Sequence, residues 1–98
     1  MAISSFADRG TEDVYNWVDS KAARHVCPPP LWPVARRKLS QIAAATRLAD
    51  FRIPPSNRFE ALQRDRTGQY AIRINDQYRV CFEWTETGCE RVEIVNYH

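Results

Sequence analysis

Residues 70–84 read Tyr70-Ala71-Ile72-Arg73-Ile74-Asn75-Asp76-Gln77-Tyr78-Arg79-Val80-Cys81-Phe82-Glu83-Trp84, and their reading decides the fold. Before the polar triplet Asn75-Asp76-Gln77, Tyr70, Ile72 and Ile74 alternate with Ala71 and Arg73. After it, Tyr78, Val80, Phe82 and Trp84 alternate with Arg79, Cys81 and Glu83. Alternation with a period of two marks half-buried strands, because successive side chains leave a strand on opposite faces. If Ile74 and Tyr78 face the same core, pairing them leaves a loop of Asn75, Asp76 and Gln77, a recognised hairpin length whose Asn and Asp tolerate left-handed backbone. The same register sets Arg73 directly opposite Arg79. Like charges across a strand pair are destabilising. Such a pair is tolerated when an anion, either a carboxylate or a phosphate, sits between the two.

Outward from this hairpin, Val92 to Tyr97 forms a third strand, and Arg58 to Leu62 is a candidate fourth ahead of the turn Asp65-Arg66-Thr67-Gly68. Pro54-Pro55-Ser56-Asn57 punctuates the chain upstream. From Pro33 to Ala49, apolar Ala35, Leu39, Ile42, Ala43 and Ala49 recur at helical spacing, with Arg36, Arg37, Ser40, Gln41, Ala44 and Arg47 largely on the other side. A shorter helix holds Val14, Tyr15, Trp17 and Val18, with Thr11 as its expected N-cap and Glu12 and Asp13 in its first turn. It must stop before Cys27-Pro28-Pro29-Pro30, which cannot continue a helix. Ile3 to Phe6 reads as a brief strand. The expected class is α+β: a short N-terminal strand, two helices, then an antiparallel meander of three to four strands.

Ninety-eight residues make one domain's worth of chain, so residues 1–98 are expected to form a single domain. A hydrophobic share of 44% with 27% charged residues is globular, not disordered, composition. No apolar run is long enough to span a membrane, and the first ten residues lack a signal-peptide layout. Three cysteines, Cys27, Cys81 and Cys89, are an odd count without a Cys-x-x-Cys pair, which excludes a disulfide framework and speaks against zinc. No cofactor or metal motif is present, and the expected location is the cytoplasm. The tryptophans Trp17, Trp32 and Trp84 read as core or interface residues.

The net charge of +2 is unevenly spread. Residues 1–19 carry −3, residues 20–49 carry +6 with no carboxylate, residues 50–58 carry +1 and residues 59–98 carry −2. Six cations in a stretch without an anion are either a solvated helix face or a surface for a polyanion. Catalytic chemistry is sparse: the histidines are His25 and His98, with no phosphate loop and no nucleophile elbow. Tyr97-His98 follows the apolar run Val92, Ile94 and Val95, so a held strand would present it. Histidine moves protons near neutral pH and arginine stabilises charge on a phosphate, a pairing suited to phosphodiester chemistry. RNA supplies its own nucleophile, the 2′-hydroxyl. Cys81 shares the Arg73/Arg79 face and reads as packing.

Three motifs in this order, Pro54-Pro55-x-Asn57, Ile72-Arg73-Ile74-Asn75-Asp76-Gln77-Tyr78-Arg79 and the closing Tyr97-His98, resemble the HigB-type toxins of bacterial type II toxin–antitoxin modules, within the RelE/ParE superfamily. The resemblance is strongest from Asp50 onward and covers nearly the whole chain. It implies a RelE-like fold and a ribosome-dependent endoribonuclease that cuts messenger RNA in the ribosomal A site without a metal. It further implies restraint by a HigA-like helix-turn-helix antitoxin, with the toxin monomeric outside that complex and no membrane partner. Carried over by position, Arg73 and Arg79 bind the scissile phosphate while Tyr97 and His98 orient the RNA and transfer protons. Arg36, Arg37 and Lys38 on the basic helix, with Arg58 and Arg66, contact RNA. Two positions depart from the family pattern: Asn96 stands where aspartate is common, and Arg58 where some members carry histidine. Two rival readings stay open: a non-enzymatic inhibitor of a protein such as DNA gyrase, and a weakened toxin that acts mainly by binding its antitoxin.

Overall fold

A computed structural model describes residues 1–97, and His98 lies outside the described residues. Three α-helices precede a four-stranded antiparallel sheet: α1 (Arg9–Tyr15), α2 (Lys21–Val26), α3 (Trp32–Ala44), then β1 (Glu60–Ala61), β2 (Gln69–Arg73), β3 (Tyr78–Thr85) and β4 (Gly88–Asn96). The strands lie in sequence order, β1-β2-β3-β4, as a meander. The α+β class expected from sequence is the class observed.

The hairpin register matches the sequence reading: Arg73 pairs with Arg79 and Ile72 with Val80. Asn75 closes the turn as its Oδ1 accepts from the backbone N–H of Gln77 at 2.9 Å and of Tyr78 at 2.8 Å. Ile72, Val80, Phe82, Val92 and Ile94 point to one face, where they meet Leu39 and Ile42 of α3, Val14 of α1 and Phe51 in one hydrophobic cluster. Phe51 anchors an aromatic group, 5.0 Å from Phe82 and 5.8 Å from Trp84 between ring centroids. The opposite face carries Arg73, Arg79, Cys81, Glu93 and Val95, as alternation along β2, β3 and β4 requires.

The helical region differs from expectation. One helix was expected before the proline run, and two form. Asp8, not Thr11, caps α1, accepting from the Thr11 N–H at 2.6 Å. Thr11 is buried one turn in, and its Oγ1 accepts from the Ile94 N–H at 3.0 Å, satisfying a donor of β4 that no strand pairs. Asp8 sits three residues before Thr11, and either spacing fits a cap by pattern alone. The helix ends where Val18 N–H donates to the Asp13 carbonyl at 2.8 Å and Trp17 N–H to the Val14 carbonyl at 3.3 Å. This is the Schellman pattern, which needs one left-handed residue; Trp17 supplies it at φ +64°. Ser20 then caps α2 through the Ala23 N–H.

The helix expected over 33–49 runs from Trp32 to Ala44, and residues Leu48–Arg52 form a separate 3-10 turn in place of extended chain. Asp50 starts that turn, accepting from the Thr46 and Arg47 N–H groups, and these bonds hold its carboxyl below the usual range. The N-terminal strand is reduced to two parallel bridges, Ile3 to Cys89 and Phe6 to Val92. With Thr11 they cover the outer edge of β4.

Candidate nucleic-acid interface

The open sheet face holds the arginines singled out by the hairpin. Arg79 projects from β3, and its guanidinium reaches Glu60 of β1 at 2.5 Å and lies 4.0 Å from the centre of the Tyr97 ring. Across the ladder, Arg73 pairs with Asp76 in the turn. The like-charged pair is therefore relieved by two separate carboxylates, one per arginine, and not by one anion between them. Arg66, from the 3-10 turn Arg64–Arg66, spans to Glu93 at 3.2 Å and to Gln69 at 2.9 Å. Tyr97 is half-exposed, and its backbone N–H donates to the Gln77 carbonyl at 2.6 Å, tying the chain end to the hairpin turn.

Between these groups lies a cleft of about 310 Å³, lined by Leu62, Arg64, Arg66, Cys81, Val95 and Tyr97. Its floor is Cys81, buried as expected for a packing residue. Burial pushes this thiol up; Arg66 and Arg79 pull it back, while Glu93 and Glu60 oppose them. The cleft thus sets Arg64, Asp65 and Arg66 around the apolar Cys81 and Val95, with the Arg79–Glu60 pair beside it against Tyr97. An incoming phosphate can exchange for Glu60 on Arg79, because an arginine fork binds carboxylate and phosphate in the same geometry.

The remaining cations fall elsewhere. Arg58 is exposed in left-handed backbone at φ +46°, just before β1. Arg36 does not face open solvent: its Nε donates to the Val14 carbonyl at 2.9 Å, and its guanidinium lies 4.0 Å from the Trp17 ring centre and 5.6 Å from that of Trp32. Lys38 bonds Asn57 at 2.5 Å, and burial first, then Arg37 and Arg73, lowers its pKa. Arg37 is the member of the basic triplet left exposed. Gln41 also turns inward, donating to the Ile53 carbonyl at 2.8 Å. Arg66, Arg79 and Tyr97 are brought together around Cys81, while Arg73, opposite Arg79 in register, turns to Asp76 and acts on Lys38; Arg36 and Arg37 belong to the helical layer.

Glu60 is a site-shaping residue that the sequence reading did not single out, and Asn57 entered it only as the end of the Pro54-Pro55-x-Asn57 motif, with no role. Asn57 is completely buried, donating to the Phe51 carbonyl at 3.1 Å and Gln41 Oε1 at 3.0 Å while accepting from Lys38. Among the described residues no group of His, Cys, Asp and Glu could hold a metal ion. Among the described residues no helix is long and apolar enough to cross a membrane.

A small α+β fold whose helices back a four-stranded meander, with an arginine-rich cleft on the sheet's other face, defines a RelE-like class of protein. The chain belongs to the HigB-like toxin family, RelE-like toxins of type II toxin–antitoxin systems, which matches residues 4–98. It is 40% identical over 81 residues to Toxin HigB-1 of Vibrio cholerae, covering 83% of this chain and 82% of that one. It is also 39% identical over 57 residues to an uncharacterized protein of Haemophilus influenzae, covering 58% of this chain and 56% of that one. As a type II toxin, it has an antitoxin as its implied partner.

Proposed function

We propose that this toxin is a ribosome-dependent endoribonuclease that cuts messenger RNA in the ribosomal A site and is neutralised by a HigA-like antitoxin in the cytoplasm. The observation that carries the reading is the placement of Arg79 against Tyr97, with Arg73 opposite, on the open face of the sheet. The RNA 2′-oxygen attacks the adjacent phosphorus, loses its proton to a base, and expels the 5′-oxygen, which gains a proton. A 2′,3′-cyclic phosphate and a 5′-hydroxyl result. Arg79 and Arg73 stabilise the charge that grows on the non-bridging oxygens. Tyr97 orients the RNA, and His98, the residue that follows it, serves proton transfer near neutral pH. This chemistry draws its nucleophile from the substrate and calls for no metal.

Support also comes from the ion pairs at and beside the cleft, Arg66 with Glu93 and Arg79 with Glu60, whose carboxylates an incoming anion can displace. A toxin that only gripped a protein would have no use for them. The test is expression in bacteria with mapping of messenger 5′ ends. Growth arrest with codon-phased cuts, relieved by His98→Ala and by Arg79→Ala, is expected. Arrest that survives both substitutions, or DNA breaks with intact messenger RNA, refutes the reading.

A further inference from the structure

We propose that the groove between the α1–α2 corner and α3 docks an acidic, amphipathic segment of a protein partner. The groove, about 520 Å³, is lined by Trp17, Pro33, Val34, Arg36, Arg37 and Ser40. It shares no residue with the cleft on the sheet, and α3 packs its other side on the face of the sheet away from that cleft.

Three observations identify the occupant. Trp17 is 75% exposed and Val18 beside it is also exposed, a large apolar surface for so small a protein. The indole is held, not loose: Arg36 stacks on one face, and Arg36 is itself fixed to the Val14 carbonyl. Trp17 also occupies the left-handed position where glycine is strongly favoured, so the corner gives up backbone ease to present an indole. Tryptophan and arginine, pre-positioned over an aliphatic floor, are the composition of interface hot spots.

Charge complementarity decides the sign. The lining contains two arginines and no acid, and the whole segment 20–49 lacks a carboxylate. A segment with glutamate or aspartate flanking apolar side chains would seat its carbon on Trp17, Pro33 and Val34 and its charge on Arg37. The family resemblance gives Arg36 and Arg37 to RNA, but the geometry favours a peptide. The Arg36 guanidinium is already sandwiched between Trp17 and Trp32, which leaves Arg37 to face a backbone that rewards rows of cations. Trp17, Pro33 and Val34 make most of the lining apolar, so Ser40 and Arg37 are the polar groups left to meet a nucleotide.

The experiment is nitrogen-15 NMR of the whole chain, whose three tryptophans give three indole N–H signals. Trp17→Gly assigns one of them and restores the residue type the backbone prefers, so folding is preserved. Probes are a helical peptide of about fifteen residues with leucines on one face and glutamates elsewhere, the same peptide with lysines for glutamates, and a 2′-O-methyl RNA dodecamer. The acidic peptide is expected to shift the Trp17 indole and the Arg37 amide saturably. Arg37→Glu should weaken it about tenfold or more, and Trp17→Gly should abolish it with the urea midpoint retained. Absence of any shift at millimolar peptide, equal response to the lysine peptide, or a Trp17 response to RNA in place of peptide overturns the proposal.

Discussion

Asn57→Ala should be among the most destabilising single substitutions in this chain, although the side chain lost is small and polar. Its amide donates to Phe51 and Gln41 and its oxygen accepts from Lys38, all in a fully buried position. Each such bond contributes about 1 kcal/mol net, and each buried group left unsatisfied costs about 1–3 kcal/mol. Alanine removes the three bonds and leaves the buried Phe51 carbonyl without this donor, so a loss of about 3 kcal/mol is expected. For a domain of this size that lowers the melting temperature by about 12–24 °C. In urea, with a slope of about 1 kcal/mol per molar, the midpoint should fall by about 3 M. Asn57→Asp keeps an acceptor for Lys38 but loses both donors, and should fall between wild type and alanine. Circular dichroism melts in urea read all three. A cost for Asn57→Ala below about 0.5 kcal/mol, the range of an ordinary surface change, would refute the argument that this residue ties α3 to the segment leading into β1.

Thr11→Val should cost about 1–3 kcal/mol by orphaning the Ile94 N–H, while Thr11→Ser keeps the bond; amide exchange at Ile94, accelerated only in valine, distinguishes the two. Cys27, Cys81 and Cys89 are all buried, so Ellman's reagent should find no reactive thiol in the native protein and three after denaturation; a native reaction at neutral pH refutes the packing described. Burial pushes the Cys27 thiol from 9.0 to about 11. Its contribution to stability is therefore complete below pH 9 and is lost as pH rises through 11, and Cys27→Ala should flatten that part of the urea-midpoint profile. Glu60→Gln frees Arg79 of its internal carboxylate and should tighten binding of a 2′-O-methyl RNA by about threefold or more at low salt, the gain fading as salt rises. Fluorescence anisotropy reads this, and unchanged or weaker binding refutes the exchange of phosphate for Glu60.

The hairpin was legible because alternation and loop length act over a few neighbouring residues. Register follows from them, and with it Arg73 opposite Arg79. The α1–α2 corner was not legible: its left-handed residue is a tryptophan, so the usual glycine signal is missing. Helical periodicity put Arg36 and Gln41 on a polar face, correctly as geometry. Which face meets a neighbour depends on Val14 and Ile53, each more than ten residues away in sequence, and the pattern holds no such information. Glu60 was missed for the same reason, since its approach to Arg79 requires β1 to lie beside β2. The charge count survived in altered form: the segment carrying +6 is basic, yet two of its three central cations are engaged inside the fold.

The covering of the β4 edge by residues 2–7 and Thr11 limits how this molecule can associate. Exposed strand edges are templates on which a partner can add a strand, or on which copies can stack into aggregates. Here one edge is already occupied by the chain's own beginning, and the other, β1, is only two residues long and carries a charged Glu60. Strand addition is blocked along the covered stretch of β4, residues 89–94, and finds little free backbone at β1. A partner therefore meets mainly side chains at these edges, and the covered stretch offers other copies of the chain no template for stacking.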